Sequence, residues 1–263
     1  MPLHQSAAVA FVQTHGTPVE QARLAYLLDS IPPAPEIIAS VFADQHSDGG
    51  WPPFWAPDYV SLDATCYRLA QAEPFGLILT TRSGHRALDL IAHRQQADGH
   101  WQETPPSNAI LPPWLAPTEP AAISYLTANC GLWLTLRPHD LTHCHRAAAY
   151  LENQFHLTEM LALPHNAWLS AALWYACDQL QRAEQILQQL TLQYPQLSAS
   201  ALSWALTSLH LAGMPSEHWF MTRSAQQLAA LQRADGGWSS DDGAERDVHV
   251  TLEAIRVLQV ERL

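Results

Sequence analysis

Three copies of one phrase constrain this chain more than anything else in it. They read Gln45-His-Ser-Asp-Gly49-Gly-Trp51, Gln95-Gln-Ala-Asp-Gly99-His-Trp101 and Gln232-Arg-Ala-Asp-Gly236-Gly-Trp238, each Gln-x-x-Asp-Gly-x-Trp without slack. The first two stand 50 positions apart and the next follows after 137, which leaves room for about six units of similar length. The phrase has a physical reading. A helix ends at the Gln, Asp-Gly turns the chain, and the Trp folds back onto the helix end. A buried indole supplies a large apolar area and one N–H in need of a partner. The repeated Gln, Gly and Trp side chains are therefore read first as clamps between helices.

Between the phrases, apolar residues recur at helical spacing and breakers fall at regular intervals. The predicted helices pair as 4–14 with 18–30, 35–45 with 60–72, and 82–97 with 118–136. They continue as 140–155 with 163–178, 180–193 with 198–212, and 217–233 with 246–260. Twelve helices thus form six hairpins in one domain, 1–263, and strand patterns are essentially absent. The second helices are the more apolar, as in Ala167-Trp168-Leu169-Ser170-Ala171-Ala172-Leu173-Trp174 and Ala199-Ser200-Ala201-Leu202-Ser203-Trp204. A helix apolar all round is a buried one, so the pattern suggests an inner ring of apolar helices inside a polar outer ring.

Composition excludes several chemistries. The chain of 263 residues has 13 basic side chains, all Arg, so Schiff-base chemistry and a Walker phosphate loop are ruled out. A formal charge of −12 argues against nucleic acid and anionic membranes. No apolar run is long enough to span a membrane and no secretory signal opens the chain, so a cytoplasmic protein is expected. Cys66, Cys130, Cys144 and Cys177 lack CxxC spacing, which points to neither a disulfide framework nor a zinc knuckle.

The repeated phrase resembles the QW repeat of class II terpene cyclases such as squalene–hopene cyclase, whose α/α toroid is shared by protein prenyltransferase β-subunits. Residues 45–54, Gln-His-Ser-Asp-Gly-Gly-Trp-Pro-Pro-Phe, are especially similar to that family. The residues alone give an all-α ring of hairpins. The resemblance implies an all-α (α/α)6 toroid with an apolar central cavity.

Class II cyclases carry an Asp-x-Asp-Asp-Thr motif at the start of an inner helix, and its middle Asp protonates an alkene or epoxide. Ser61-Leu62-Asp63-Ala64-Thr65 keeps the middle Asp and the Thr but not the flanking carboxylates. Asp247-Val248-His249-Val250-Thr251 keeps the first Asp and the Thr, with His in the middle. The resemblance implies Asp63 as general acid, with Asp247 and His249 as further catalytic candidates. Because Asp63 and His249 each precede a Thr by two, equal depth in the ring is expected, with His249 close enough to tune the acid. Alkene protonation needs a carboxyl held protonated in a dry site, and aromatic rings then stabilise the cation. Tyr67, Tyr125, Trp168, Trp174 and Trp204 are the candidate wall for an isoprenoid substrate.

The stretch at 246–251 also resembles the Asp–His–Thr segment near the end of prenyltransferase β-subunits, where the His binds zinc. Here the His is one place out of register and no partner Asp-x-Cys pair is visible. His139, His143, Cys144 and His145 include a chelating i, i+4 pair but start an outer helix, where a solvated face is the simpler reading. No metal or organic cofactor is expected. The adjacent carboxylates Asp241 and Asp242 lie in a predicted loop, and Arg82, Arg86, Arg246 and Arg256 are the candidates for holding a diphosphate. Full-length cyclases of this type have a second helical barrel, so the single cavity here would be closed by a homodimer mate, another partner, or Pro-rich loops at 52–57 and 104–117. The readings are a small class II terpene cyclase, a non-catalytic toroid that binds a prenyl chain or partner, or a prenyltransferase-like enzyme.

Overall fold

A computed structural model of the chain describes residues 4–54, 56–106, 111–137, 141–161 and 163–259. Its helices are α1 (Gln5–His15), α2 (Pro18–Asp29), α3 (Pro35–Val41), α4 (Leu62–Ala72), α5 (Arg82–His93) and α6 (Pro120–Leu134). They continue as α7 (Thr142–Gln154), α8 (Leu157–Met160), α9 (Pro164–Ala176), α10 (Leu180–Leu190), α11 (Ala199–Leu211), α12 (Trp219–Ala230) and α13 (Asp247–Gln259). Among the described residues there is no strand, only an isolated antiparallel bridge between Trp51 and Ser61. All twelve predicted segments are present. The short α8 was not predicted, nor were the 3-10 turns at Glu73–Phe75, Pro113–Leu115, Thr191–Gln196 and Ala244–Arg246.

Helix starts follow local capping chemistry. Thr17 and Glu20 form a reciprocal capping box before Pro18, the first residue of α2. Ser61, Thr81 and Ser198 each accept a backbone N–H three residues on, at the starts of α4, α5 and α11.

The chain divides into two compact units, residues 41–186 and residues 1–40 with 187–263. In the first unit α6 packs against α4, α5, α7 and α9. Twelve of its fifteen residues are buried, which explains why its sequence has no polar stripe. In the second unit α13 packs against α1, α2, α11 and α12. Here the two ends of the chain share one core.

The repeated phrase is the same device three times. Gln45, Gln95 and Gln232 each donate from Nε2 to the carbonyl of the phrase's own Gly, at 2.7, 2.9 and 2.9 Å. The same amide reaches the carbonyl of Ser83, His143 or His4, at or just before the start of α5, α7 or α1. Each indole N–H returns to the preceding segment, from Trp51 to the Ala43 carbonyl, Trp101 to Ile91 and Trp238 to Leu228. All three indoles are buried. One detail corrects the sequence reading. The helices stop before the Gln, at Val41, His93 and Ala230, and the Gln side chain bonds the turn and the start of a more distant helix rather than ending the first.

Candidate functional site

Each clamp also fixes a register on the following apolar helix. The backbone N–H of Trp51, Trp101 and Trp238 donates to the hydroxyl of Thr65 in α4, Thr127 in α6 and Thr251 in α13, at 3.2, 3.2 and 3.0 Å. All three Thr are buried. The residue two before each Thr is Asp63, Tyr125 and His249. Sequence reasoning matched Asp63 with His249 on this offset but took Tyr125 only as part of an aromatic wall. The Trp101 phrase was the signal that would have added it.

In residues 41–186 two of these positions meet. The Tyr125 hydroxyl donates to Asp63 Oδ1 at 2.5 Å. Asn129, one turn along α6, donates to the Tyr125 oxygen at 3.2 Å, and the Trp133 indole donates to Asn129 at 3.1 Å. Asp63 sits half-buried in the first turn of α4. Burial pushes its carboxyl from the usual carboxylate range up to about 6; the Tyr125 hydrogen bond opposes the rise and the charge of Glu103 adds to it. Burial, reinforced by Asp63, in turn raises the Tyr125 hydroxyl well above the usual phenol, so Tyr125 stays a donor. Oδ2 of Asp63 takes no hydrogen bond among the described residues.

Glu103 was missed by sequence reasoning because it belongs to no motif and reaches α4 only through the fold. Its side chain is buried and accepts from the Ser61 hydroxyl at 2.6 Å, the Asp63 N–H at 3.1 Å and the Leu62 N–H at 3.2 Å. Tyr59 donates to it as well. His165 was also missed. Its ring stands edge-on to Tyr125 at 5.3 Å and to Trp168 at 6.3 Å, and burial holds its pKa below the usual imidazole value. Beneath Asp63, Cys66 and Cys130 bring their sulfurs to 3.8 Å as free thiols.

The other aromatic candidates separate. Trp168 is buried beside His165. Trp174 is fully buried and donates to the Ala148 carbonyl of α7, so it packs against a neighbouring helix. Tyr67 and Trp204 are exposed, at 38% each.

In the second unit His249 lies in a buried polar cluster. Arg23 of α2 pairs with Glu253 of α13 and approaches His249 Nδ1 at 3.4 Å. Desolvation lowers the pKa of His249, while Arg23 holds Glu253 below its usual range against burial. Asp247 accepts from Arg233 of the third phrase and from the Ser240 N–H just after it, so it fastens that stretch to the start of α13 through both of its oxygens. His143 is likewise engaged by a clamp, with Nδ1 2.6 Å from Gln95 Oε1, and His139 lies outside the described residues. Among the described residues no group of three His, Cys, Asp or Glu side chains is placed to hold a metal ion.

Solved structures place this geometry in a wider fold. The chain is similar to a variant of the type II terpene cyclase MstE from Scytonema in complex with geranylgeranyl dihydroxybenzoate, with 14% identity, a TM-score of 0.55, and coverage of 97% of this chain and 95% of that one. It is similar to the apo form of MstE at a TM-score of 0.54 and 14% identity, covering 98% and 96% of the two chains. It is similar also to a variant bound to merosterolic acid A, at 0.53 and 15%, covering 97% and 95%. No family model matches the chain. No curated protein sequence matches it.

Proposed function

We propose that this chain, whose all-helical fold is that of the type II terpene cyclases, is itself a cyclase of class II type, and that Asp63 is its general acid. The observation that carries the reading is a half-buried carboxyl at the start of an apolar helix, with a pKa near 6 and one oxygen held by Tyr125. Such a group is protonated over an accessible pH range without being solvated as an ordinary carboxylate. Tyr125 on Oδ1 leaves Oδ2 to carry the proton. Transfer of that proton to a terminal alkene carbon leaves a tertiary cation, and attack by an internal double bond closes a ring. Loss of a proton from a neighbouring carbon then restores an alkene, so the net reaction is an isomerisation. The phenol hydroxyl stabilises the carboxylate left behind, because hydrogen bonding favours the charged form.

The substrate class is a linear isoprenoid, as MstE takes a geranylgeranyl-substituted aromatic acid. Tyr125, Trp168 and Tyr67 are the proposed aromatic contacts within residues 41–186, and no metal is needed for protonation-initiated chemistry. Asp247 and Trp174 are left out of the chemistry by their bonds.

The test is incubation of the purified protein with farnesyl and geranylgeranyl compounds, with and without aromatic acid heads, in deuterated buffer with chelator. Cyclic isomers carrying one deuterium are expected, and Asp63→Asn should reduce their formation at least about a hundredfold, the scale of losing a general acid. Turnover should fall as pH rises through about 6, where Asp63 loses its proton. Product formed equally by Asp63→Asn, or cyclisation accompanied by loss of diphosphate, would rule the reading out.

A further inference from the structure

We propose that Glu103 is the positioning residue of the Asp63 site: it reaches in from the segment after the second repeat phrase, fixes the first turn of α4 and holds a negative charge beside the acid. The inference deepens the reading of Asp63 as an acid and rests on it only for its turnover arm.

The geometry is specific. Glu103 is 1% exposed, yet every hydrogen bond it makes is to the start of α4 or to the residues just before it. The Asp63 and Leu62 amides, the Ser61 hydroxyl and the Tyr59 hydroxyl all donate to it. Four converging donors at a helix N-terminus are the surroundings of a carboxylate, not of a carboxylic acid. The Tyr59 oxygen also accepts the Thr104 N–H at 3.1 Å, so the segment that carries Glu103 is itself tied down. Leu62 and Ala64 flank Asp63, and neither they nor Ser61 just before the helix bears a charge. The neighbouring charge is therefore supplied from elsewhere in the chain. A like charge beside Asp63 disfavours its ionisation, which keeps the proton available for transfer.

The groups that face this pair can be named. Tyr125 meets Asp63 from α6, and Cys66 lies on Asp63's own helix with Cys130 against it. Tyr59 meets Glu103, and Arg94 at the end of α5 acts electrostatically on Tyr59.

The experiment is carbon-13 NMR titration of the aspartate carboxyls in the full chain, with the Asp63 signal identified by its loss in Asp63→Asn. Glu103→Gln should lower the Asp63 midpoint from about 6 by roughly half a pH unit or more, because it removes the repelling charge. Glu103→Asp, which keeps the charge, should recover part of the difference. Tyr59→Phe removes one donor and leaves both carboxylates, so it should move the Asp63 midpoint upward even if Glu103→Gln fails to fold. In turnover, the limb that falls with rising pH should move to lower pH in Glu103→Gln by the same amount. An Asp63 midpoint unmoved in folded Glu103→Gln and in Tyr59→Phe would overturn the proposal. The two readings fail separately. A midpoint that moves in a protein without cyclase activity removes the acid role and leaves the positioning. Activity lost in Asp63→Asn with an unmoved midpoint does the reverse.

Discussion

Asp63 carries a cost that can be read without any substrate. Its pKa is about 6 in the folded protein and near 3.9 in an unfolded chain. The native state thus binds the proton more tightly, and the stability this contributes is full below pH 4 and lost as pH rises through 6. Asp63→Asn should therefore match the wild type near pH 4 and exceed it at pH 7.5, by on the order of 2 kcal/mol. Urea unfolding at the two pH values measures the difference, and equal gaps at both would mean the carboxyl is not held protonated. The half of this site legible in sequence was the half carried by local spacing. Asp63 stood out by its distance from a Thr, whereas Glu103 and His165 come from segments with no motif and meet Asp63 and Tyr125 only after folding.

At the level of elements, the clamp is the unit of construction, and its members should be unequal in predictable ways. Trp101→Ala and Trp238→Ala each remove a fully buried indole and its hydrogen bond, so each should cost about 3–5 kcal/mol in denaturant unfolding. A wild-type midpoint in either variant would contradict the clamp. The glycines offer a sharper contrast. Gly236 has φ +92° and its Cβ would fall 2.3 Å from the carbonyl carbon of Ala7, while Gly213 has φ +83° with nothing within 4 Å. Gly213→Ala should cost about 1–2 kcal/mol from backbone conformation alone, and Gly236→Ala clearly more, because α1 must also move. Equal thermal shifts would show that the close approach does not matter. Helices were legible almost to their ends because periodicity, Pro and caps agreed along the chain. The points where they stop short of the Gln were not, because that Gln spends its amide on two carbonyls, one of them in a distant helix.

At the level of the whole molecule, the fold class was available from three phrases and six hairpins, and the solved cyclases share it. What the repeats do not encode is where the chain divides into compact units. The Gln of the third phrase does not reach a later helix as those of the first two do. It turns to α1, where Gln232 brackets the backbone of His4 as both donor and acceptor. Deleting residues 1–15 should therefore strip α13 of a packing partner and leave Gln232 without its distant contact. Such a chain should melt at least about 5 °C below the full one, the scale of a few kcal/mol in a protein of this size. An unchanged melting temperature would mean α1 adds nothing to that core.

That turn to α1 has a consequence for how the protein is made. A ribosome emits residues 41–186 as one uninterrupted stretch, so that α4, α5, α7 and α9, which pack against α6, are in hand before residues 187–263 are translated. Helices α1 and α2 precede that stretch, yet they have no core to join until α13 emerges after it. During synthesis they wait exposed while everything between is built, so helices made before residues 41–186 are sheltered only after them.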